Sequence, residues 1–263
     1  MHRGSGIIME DFLLFVLVGA VAQLVDGALG MAYGVISSSV LLASGVSPAQ
    51  ASASIHAAEL FTTAASGSAH WANRNIDWPL FWRLVPFGVA GGILGTYVLT
   101  GIDGAILKPY VAGYLGIVGI YLVVRSFKKI PQRPVRGLVV PPLAATGGFL
   151  DAIGGGGWGP IVTSGLLGAG GQPRYVIGSV NAAEFLVTLA VSLTFLVALL
   201  TGRWEEADMT GNAVAVGGLI LGGVVAAPLA AYAVRIIPEK PLLRLVGALI
   251  CGLAIYQIAR LLA

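Results

Sequence analysis

Four acidic residues, Asp26, Glu59, Asp151 and Glu184, fall inside apolar stretches of a chain that has only 12 acids in 263 residues. A charged carboxyl group at the centre of a helix in hydrocarbon costs roughly 2.5–3.5 kcal/mol, and packing alone requires none of them. They form two pairs, Asp26 with Asp151 and Glu59 with Glu184, each at the same sequence offset of 125. Asp26 opens the run Asp26-Gly27-Ala28-Leu29-Gly30, and Asp151 precedes Gly154-Gly155-Gly156-Gly157. Glycine lets the backbone approach a ligand closely, and the first N–H groups of a helix have no intrahelical partner. Two such glycine-rich helix starts could offer amide donors and positive dipole ends to an anion. Alternatively, Asp26 and Asp151 cap those same N–H groups. Glu59 and Glu184 lie mid-segment, where a carboxyl group can carry a proton or remain neutral and hydrogen-bonded between helices.

Other polar residues gather around these pairs. His56 and Asn181 occupy equivalent positions, but only the histidine can change charge near neutral pH. His56 and Glu59 are three apart and share a helix face, as Thr63 does with Glu59 and Thr188 with Glu184. Ser37, Ser38 and Ser39 match Val162, Thr163 and Ser164, whose hydroxyls could line a path or bond back to their own helix. Tyr33 and Trp158 sit beside the two glycine runs and could wall a pocket. The expected anion-binding set is therefore Asp26, Gly27, Gly30, Tyr33, Gly34, Asp151, Gly154, Gly155, Gly156, Trp158, Gly159, His56 and Asn181. Glu59, Glu184 and His56 are the candidates for proton coupling. No Lys or Arg falls in the middle of these motifs, so backbone amides are the expected donors. A β-branched residue at Gly30 or Gly155 is then expected to abolish anion binding without unfolding the protein.

The usual catalytic signatures are missing. There is no His-Glu-x-x-His, Gly-x-Ser-x-Gly or Gly-x-x-x-x-Gly-Lys-Ser, and no metal-ligand cluster is visible in the spacing. Neither an enzyme, a cofactor nor a resident metal is expected. The lone Cys251 lies in an apolar run and reads as helix packing.

The elements that must position these residues are apolar and long. The chain is 57% apolar and 10% charged, where a soluble domain has about 25% charged residues, and its mean hydropathy is +0.89. This composition excludes a soluble globular enzyme, a disordered chain and a nucleic-acid binder. It describes an all-α polytopic membrane protein. The apolar stretches are Phe12–Ser44, Pro48–Trp71, Pro79–Thr100, Gly104–Val124, Gly137–Gly168, Pro173–Thr201, Thr210–Val234 and Lys240–Leu262. Most have the length that spans about 30 Å of hydrocarbon. The first and fifth are too long for one crossing and carry the glycine runs. Each is expected to break into half-helices of roughly 14 residues, with Asp26–Gly30 and Asp151–Gly157 non-helical and facing each other. Glu10 and Asp11 ahead of the first run make it a poor signal peptide.

The offset of 125 aligns residues 26–63 with 151–188 without a gap, at 14 identities in 38 positions. Two acid pairs, the Pro48/Pro173 pair and three glycine pairs in register are not chance apolar similarity. The chain reads as a first transmembrane repeat (1–124), a basic linker (125–136) and a second repeat (137–263). Each repeat has a glycine-broken first segment plus three transmembrane helices. If the broken segments are re-entrant hairpins, the repeats are inverted, and loops 71–78, 125–136, 170–174 and 235–244 face the cytoplasm; if they span, the repeats are parallel. Segment length favours inversion, as does the acidic loop Glu205-Glu206-Ala207-Asp208 falling outside. Paired, glycine-interrupted segments in two halves point to a transporter site at the repeat interface.

The Asp-Gly-x-x-Gly-x-x-x-Gly break, the Ser54-x-His-Ala-Ala-Glu59 run and their copies Asp151-x-x-Gly-Gly-Gly-Gly-Trp-Gly-Pro160 and Ser179-x-Asn-Ala-Ala-Glu184 resemble the TauE/SafE family. This is the sulfite exporter or toluenesulfonate-uptake permease family, and the resemblance covers nearly the whole chain. It implies a secondary transporter for small sulfur-containing oxyanions or organic anions, working by alternating access in the cytoplasmic membrane with the 125–136 linker inside. An anion channel is the alternative. The implied partners are a small anion and the lipid bilayer, not nucleic acid, with a homodimer left open.

Overall fold

The computed structural model describes residues 3–128, 137–204, 209–233 and 239–262. Residues 129–136 of the basic linker, the acidic loop 205–208 and Arg235 lie outside them. The regular elements among the described residues are all helices: α1 (Arg3–Leu29), α2 (Tyr33–Ala43), α3 (Pro48–Ala72), α4 (Trp78–Leu99), α5 (Gly104–Arg125), α6 (Val140–Gly154), α7 (Ser164–Gly168), α8 (Pro173–Leu200), α9 (Met209–Ala233) and α10 (Glu239–Leu262). A 3₁₀ turn (Gly137–Val139) leads into α6, and a π turn (Gly159–Thr163) leads into α7. Several starts are written in the sequence. Ser47 accepts from the Gln50 amide ahead of Pro48, Asp77 from Leu80 and Asp103 from Ala105, each a side-chain cap on otherwise orphaned donors.

Five described helices are long and apolar enough to cross a membrane: α4, α5, α6 with its 3₁₀ turn, α8 and residues 243–262 of α10. Their outward residues include the apolar Ile106, Ile117, Ile120, Leu193, Val197 and Ile255, a surface suited to lipid. The 25-residue α3 has the length but not the apolarity, because it buries Ser52, Ser54, His56, Glu59, Thr62 and Thr63. Its polar groups face protein.

Helices from the two halves interlock. α1 packs on α9, α4 on α6, α3 on α8 and α5 on α10. α3 and α8, equivalents under the sequence offset, run antiparallel. His56 meets Phe195, Ser66 meets Asn181, and Asn73 meets Arg174. α5 and α10 run antiparallel too, through Cys251 on Gly116 and Arg244 on Ser126. That opposed course is what an inverted repeat requires. α6 and the stretch through the π turn into α7 form a hairpin, with Gly147 against Val162 and Gly165 against Leu143.

The breaks lie later than expected. Asp26–Leu29 and Asp151–Gly154 are helical, and the non-helical residues are 30–32 and 155–157. The reason is local. Gly30 and Gly155 take left-handed backbone, φ 66° and 64°, and their amides close the last turn on Asp26 O and Asp151 O at 2.6 Å each. This is a glycine C-cap, so each helix runs on to the glycine that adopts it and passes through Gly27 and Gly154. The half-helix lengths also differ from expectation. α6 has 15 residues, but α1 has 27, about 40 Å at 1.5 Å per residue.

Candidate functional site

The two breaks meet backbone to backbone. A Cβ on Gly34 would strike Gly155 O, one on Gly156 would lie 2.6 Å from Val35 Cα, and one on Gly159 would lie 2.5 Å from Met31 Cα. Only glycine permits this crossing. Two hydroxyls tie the tips across the halves: Ser38 Oγ donates to Gly154 O (2.5 Å) and Thr163 Oγ1 to Gly30 O (2.8 Å). Ser38 and Thr163 are themselves 125 apart, so the two donors are counterparts, while their acceptors differ in register by one residue.

Asp26 and Asp151 cap the returning legs from the preceding helices. Asp151 Oδ1 accepts from Gly157 N (2.8 Å) and Trp158 N (3.0 Å); Asp26 Oδ1 accepts from Tyr33 N (3.4 Å). The carboxylates thus sit on amides that sequence reasoning assigned to an incoming anion. Tyr33 and Trp158 flank the tips and anchor outward, Tyr33 Oη on Leu219 O (3.0 Å) and Trp158 Nε1 on Val180 O (3.1 Å).

His56 is fully buried and fixed on both sides. Nδ1 lies 2.7 Å from Ser52 O, a pure acceptor, so Nδ1 carries a proton. Nε2 then faces Asp151 Oδ2 at 3.2 Å. That contact must hold either a proton or a cation. Glu59 is on the same face of α3, buried, with Oε2 lacking a hydrogen-bond partner among the described residues. One donor atom each from His56, Glu59 and Asp151 lies within 4.8 Å of the other two. No metal-ligand spacing is visible in the sequence, yet the fold brings these three potential donors together from positions as much as 95 apart. Asn181 mirrors His56 only in its bond to the carbonyl four residues back. It accepts from Ser66 Oγ (3.3 Å) and donates to Ile177 O (3.1 Å). Glu184 is half-buried on α8.

Arg125 is a correction to the sequence reading. Placed in the linker by sequence, it ends α5 as a buried side chain, with Nη1 donating to Ser164 Oγ (2.6 Å) and meeting Met31 Sδ (3.2 Å). A cation thus touches both broken segments. Its signal was obscured because it borders both an apolar run and a basic string. Gln257 in α10 plays the comparable part toward α2, donating to Ser39 O (3.1 Å), where Ser39 is the equivalent of Ser164. Gly30 and Gly155 also change meaning. With left-handed backbone and Ile177 or Ile55 against them, a β-branched residue there would strain the fold itself, so such variants cannot isolate binding.

The family model described as sulfite exporter TauE/SafE matches residues 15–257. The probable membrane transporter protein YtnM of Bacillus subtilis (strain 168) is 40% identical over 261 residues, covering 97% of this chain and 83% of that protein. No solved structure matches the chain.

Proposed function

The chain belongs to the sulfite exporter TauE/SafE family of membrane transporters, and from that premise we propose that it carries small sulfur-containing oxyanions or organic anions across the cytoplasmic membrane by alternating access. The observation that carries this reading is the meeting of the two broken segments beside a buried guanidinium. Amide donors open both returning legs, Arg125 touches both segments from α5, and the buried Asp26 and Asp151 accept from those donors. An arriving oxyanion would replace a carboxylate on those amides, exchanging one set of charge-assisted hydrogen bonds for another. Partial charges of amides plus one guanidinium suit a small trigonal or tetrahedral anion.

Inverted repeats give such a carrier its two faces, and the antiparallel course of α3 against α8 supports that arrangement. The end that gathers Arg74, Arg83, Lys128, Arg174, Lys240 and Arg244 is assigned to the cytoplasm by the positive-inside bias. Glu184, the half-buried acid outside the His56 cluster, is the coupling-proton candidate that remains free to exchange.

The test is flux in proteoliposomes with sulfite, sulfate, thiosulfate and short sulfonates. The expected outcome is saturable flux of a sulfur oxyanion, accelerated by a pH gradient in the wild type and insensitive to it in Glu184→Gln. Non-saturating flux favours the channel. Saturable flux with no sulfur oxyanion moves the substrate to another class.

A further inference from the structure

We propose that His56, Glu59 and Asp151 form a binding site for one divalent first-row transition-metal ion, at the junction of α3 with the end of α6. The inference does not depend on which anion is carried.

The donors are already oriented. Ser52 O holds Nδ1 of His56 at 2.7 Å and leaves the Nε2 lone pair facing the cluster. The amides of Gly157 and Trp158 hold Asp151 Oδ1 and leave Oδ2 facing the same point. Metal-binding histidines and carboxylates are typically held in this way, through the atom that does not ligate. The Nε2 to Oδ2 separation is 3.2 Å. Ligands at about 2.0–2.1 Å in tetrahedral array lie about 3.3–3.4 Å from one another, so the two atoms are spaced as neighbouring ligands are. The third donor is the carboxylate of Glu59, within 4.8 Å of both. It is 3% exposed and its Oε2 has no hydrogen-bond partner among the described residues. A buried polar atom in that condition calls for a partner.

Charge points the same way. Once ionised, the carboxylates of Glu59 and Asp151 beside a neutral imidazole carry two negative charges in a place shielded from water, and a divalent ion cancels both. One nitrogen and two oxygens suit zinc, manganese, iron, cobalt or nickel better than the all-oxygen ligand preference of calcium or magnesium. A fourth position would be left to water or to an oxygen of a bound anion. The second repeat has Asn181 where His56 stands, so the set Asp26, Asn181 and Glu184 lacks the imidazole. One ion per chain follows.

The experiment uses the full-length protein purified in detergent and stripped with a chelator. Equilibrium dialysis against zinc chloride, with metal content read by mass spectrometry, is expected to give one zinc per chain. His56→Gln and Glu59→Gln should each weaken binding at least 10-fold while eluting as single species. Cobalt(II) in the wild type should develop the intense visible absorption of a low-coordinate N/O site. A wild type that binds no stoichiometric zinc and shows no such cobalt spectrum overturns the site. So does unchanged affinity in either variant, which would place the ion elsewhere. If one variant does not fold, the other variant and the wild-type cobalt spectrum decide.

Discussion

Asp26 and Asp151 hold equivalent places yet bind their caps unequally. Asp151 accepts two amide hydrogens at 2.8 and 3.0 Å and faces His56, whereas Asp26 has one contact at 3.4 Å. Removing a helix cap costs about 0.5–2 kcal/mol, and leaving a buried partner unsatisfied adds to that. Asp151→Ala should therefore lose about 2 kcal/mol or more and Asp26→Ala less than about 1 kcal/mol, each with chelator present. Thermal unfolding in detergent checks the order: equal losses would mean that the Asp151 contacts contribute nothing beyond the single Asp26 bond. Much at this scale was legible in the sequence. The four intramembrane acids and the offset that pairs them mark the residues that later converge. The partner of His56 was not legible, because hydrogen bonding across 95 residues depends on how α3 meets α6.

At the scale of elements, the tips are joined by glycine contacts that a methyl group would occupy. Gly156→Ala puts Cβ 2.6 Å from Val35 Cα, whereas Gly113 in α5 has nothing within 4 Å of an added Cβ and no positive φ. Gly156→Ala should fail to yield a monodisperse protein or lower its unfolding temperature by 10 °C or more; Gly113→Ala should match the wild type within a few degrees. Size-exclusion profiles and thermal scans separate the two. The existence of the breaks followed from segment length and glycine content, but their positions did not. Several glycines compete to end each helix, and the winner is the one that reaches the left-handed conformation, Gly30 and Gly155. Arg125 was misplaced for a related reason. Sequence marks where an apolar run stops, while the helix continues as long as neighbours such as Ser164 and Met31 accept its side chain.

The whole molecule has a basic end and an opposite end holding Lys108, Arg203 and Arg260. Surface cysteines can report which end faces inward. In a Cys251→Ala background, Ile102→Cys should react with a membrane-impermeant thiol reagent in intact cells, and Ala72→Cys only after the membrane is opened. The reverse pattern would invert the assignment. The helix pairing has a last consequence. Two identical copies related by an axis in the membrane plane would give outward-open and inward-open forms of equal energy, since exchanging the conformations of the halves merely turns the molecule over. This chain removes that degeneracy. His56 faces Asp151 on one side of the axis while Asn181 is occupied with Ser66 on the other, and Arg125 is answered by an uncharged Gln257. In a carrier that alternates as proposed, the resting population is then expected to favour one face of the membrane, and the positions where the copies diverge, these among them, set the size of that bias.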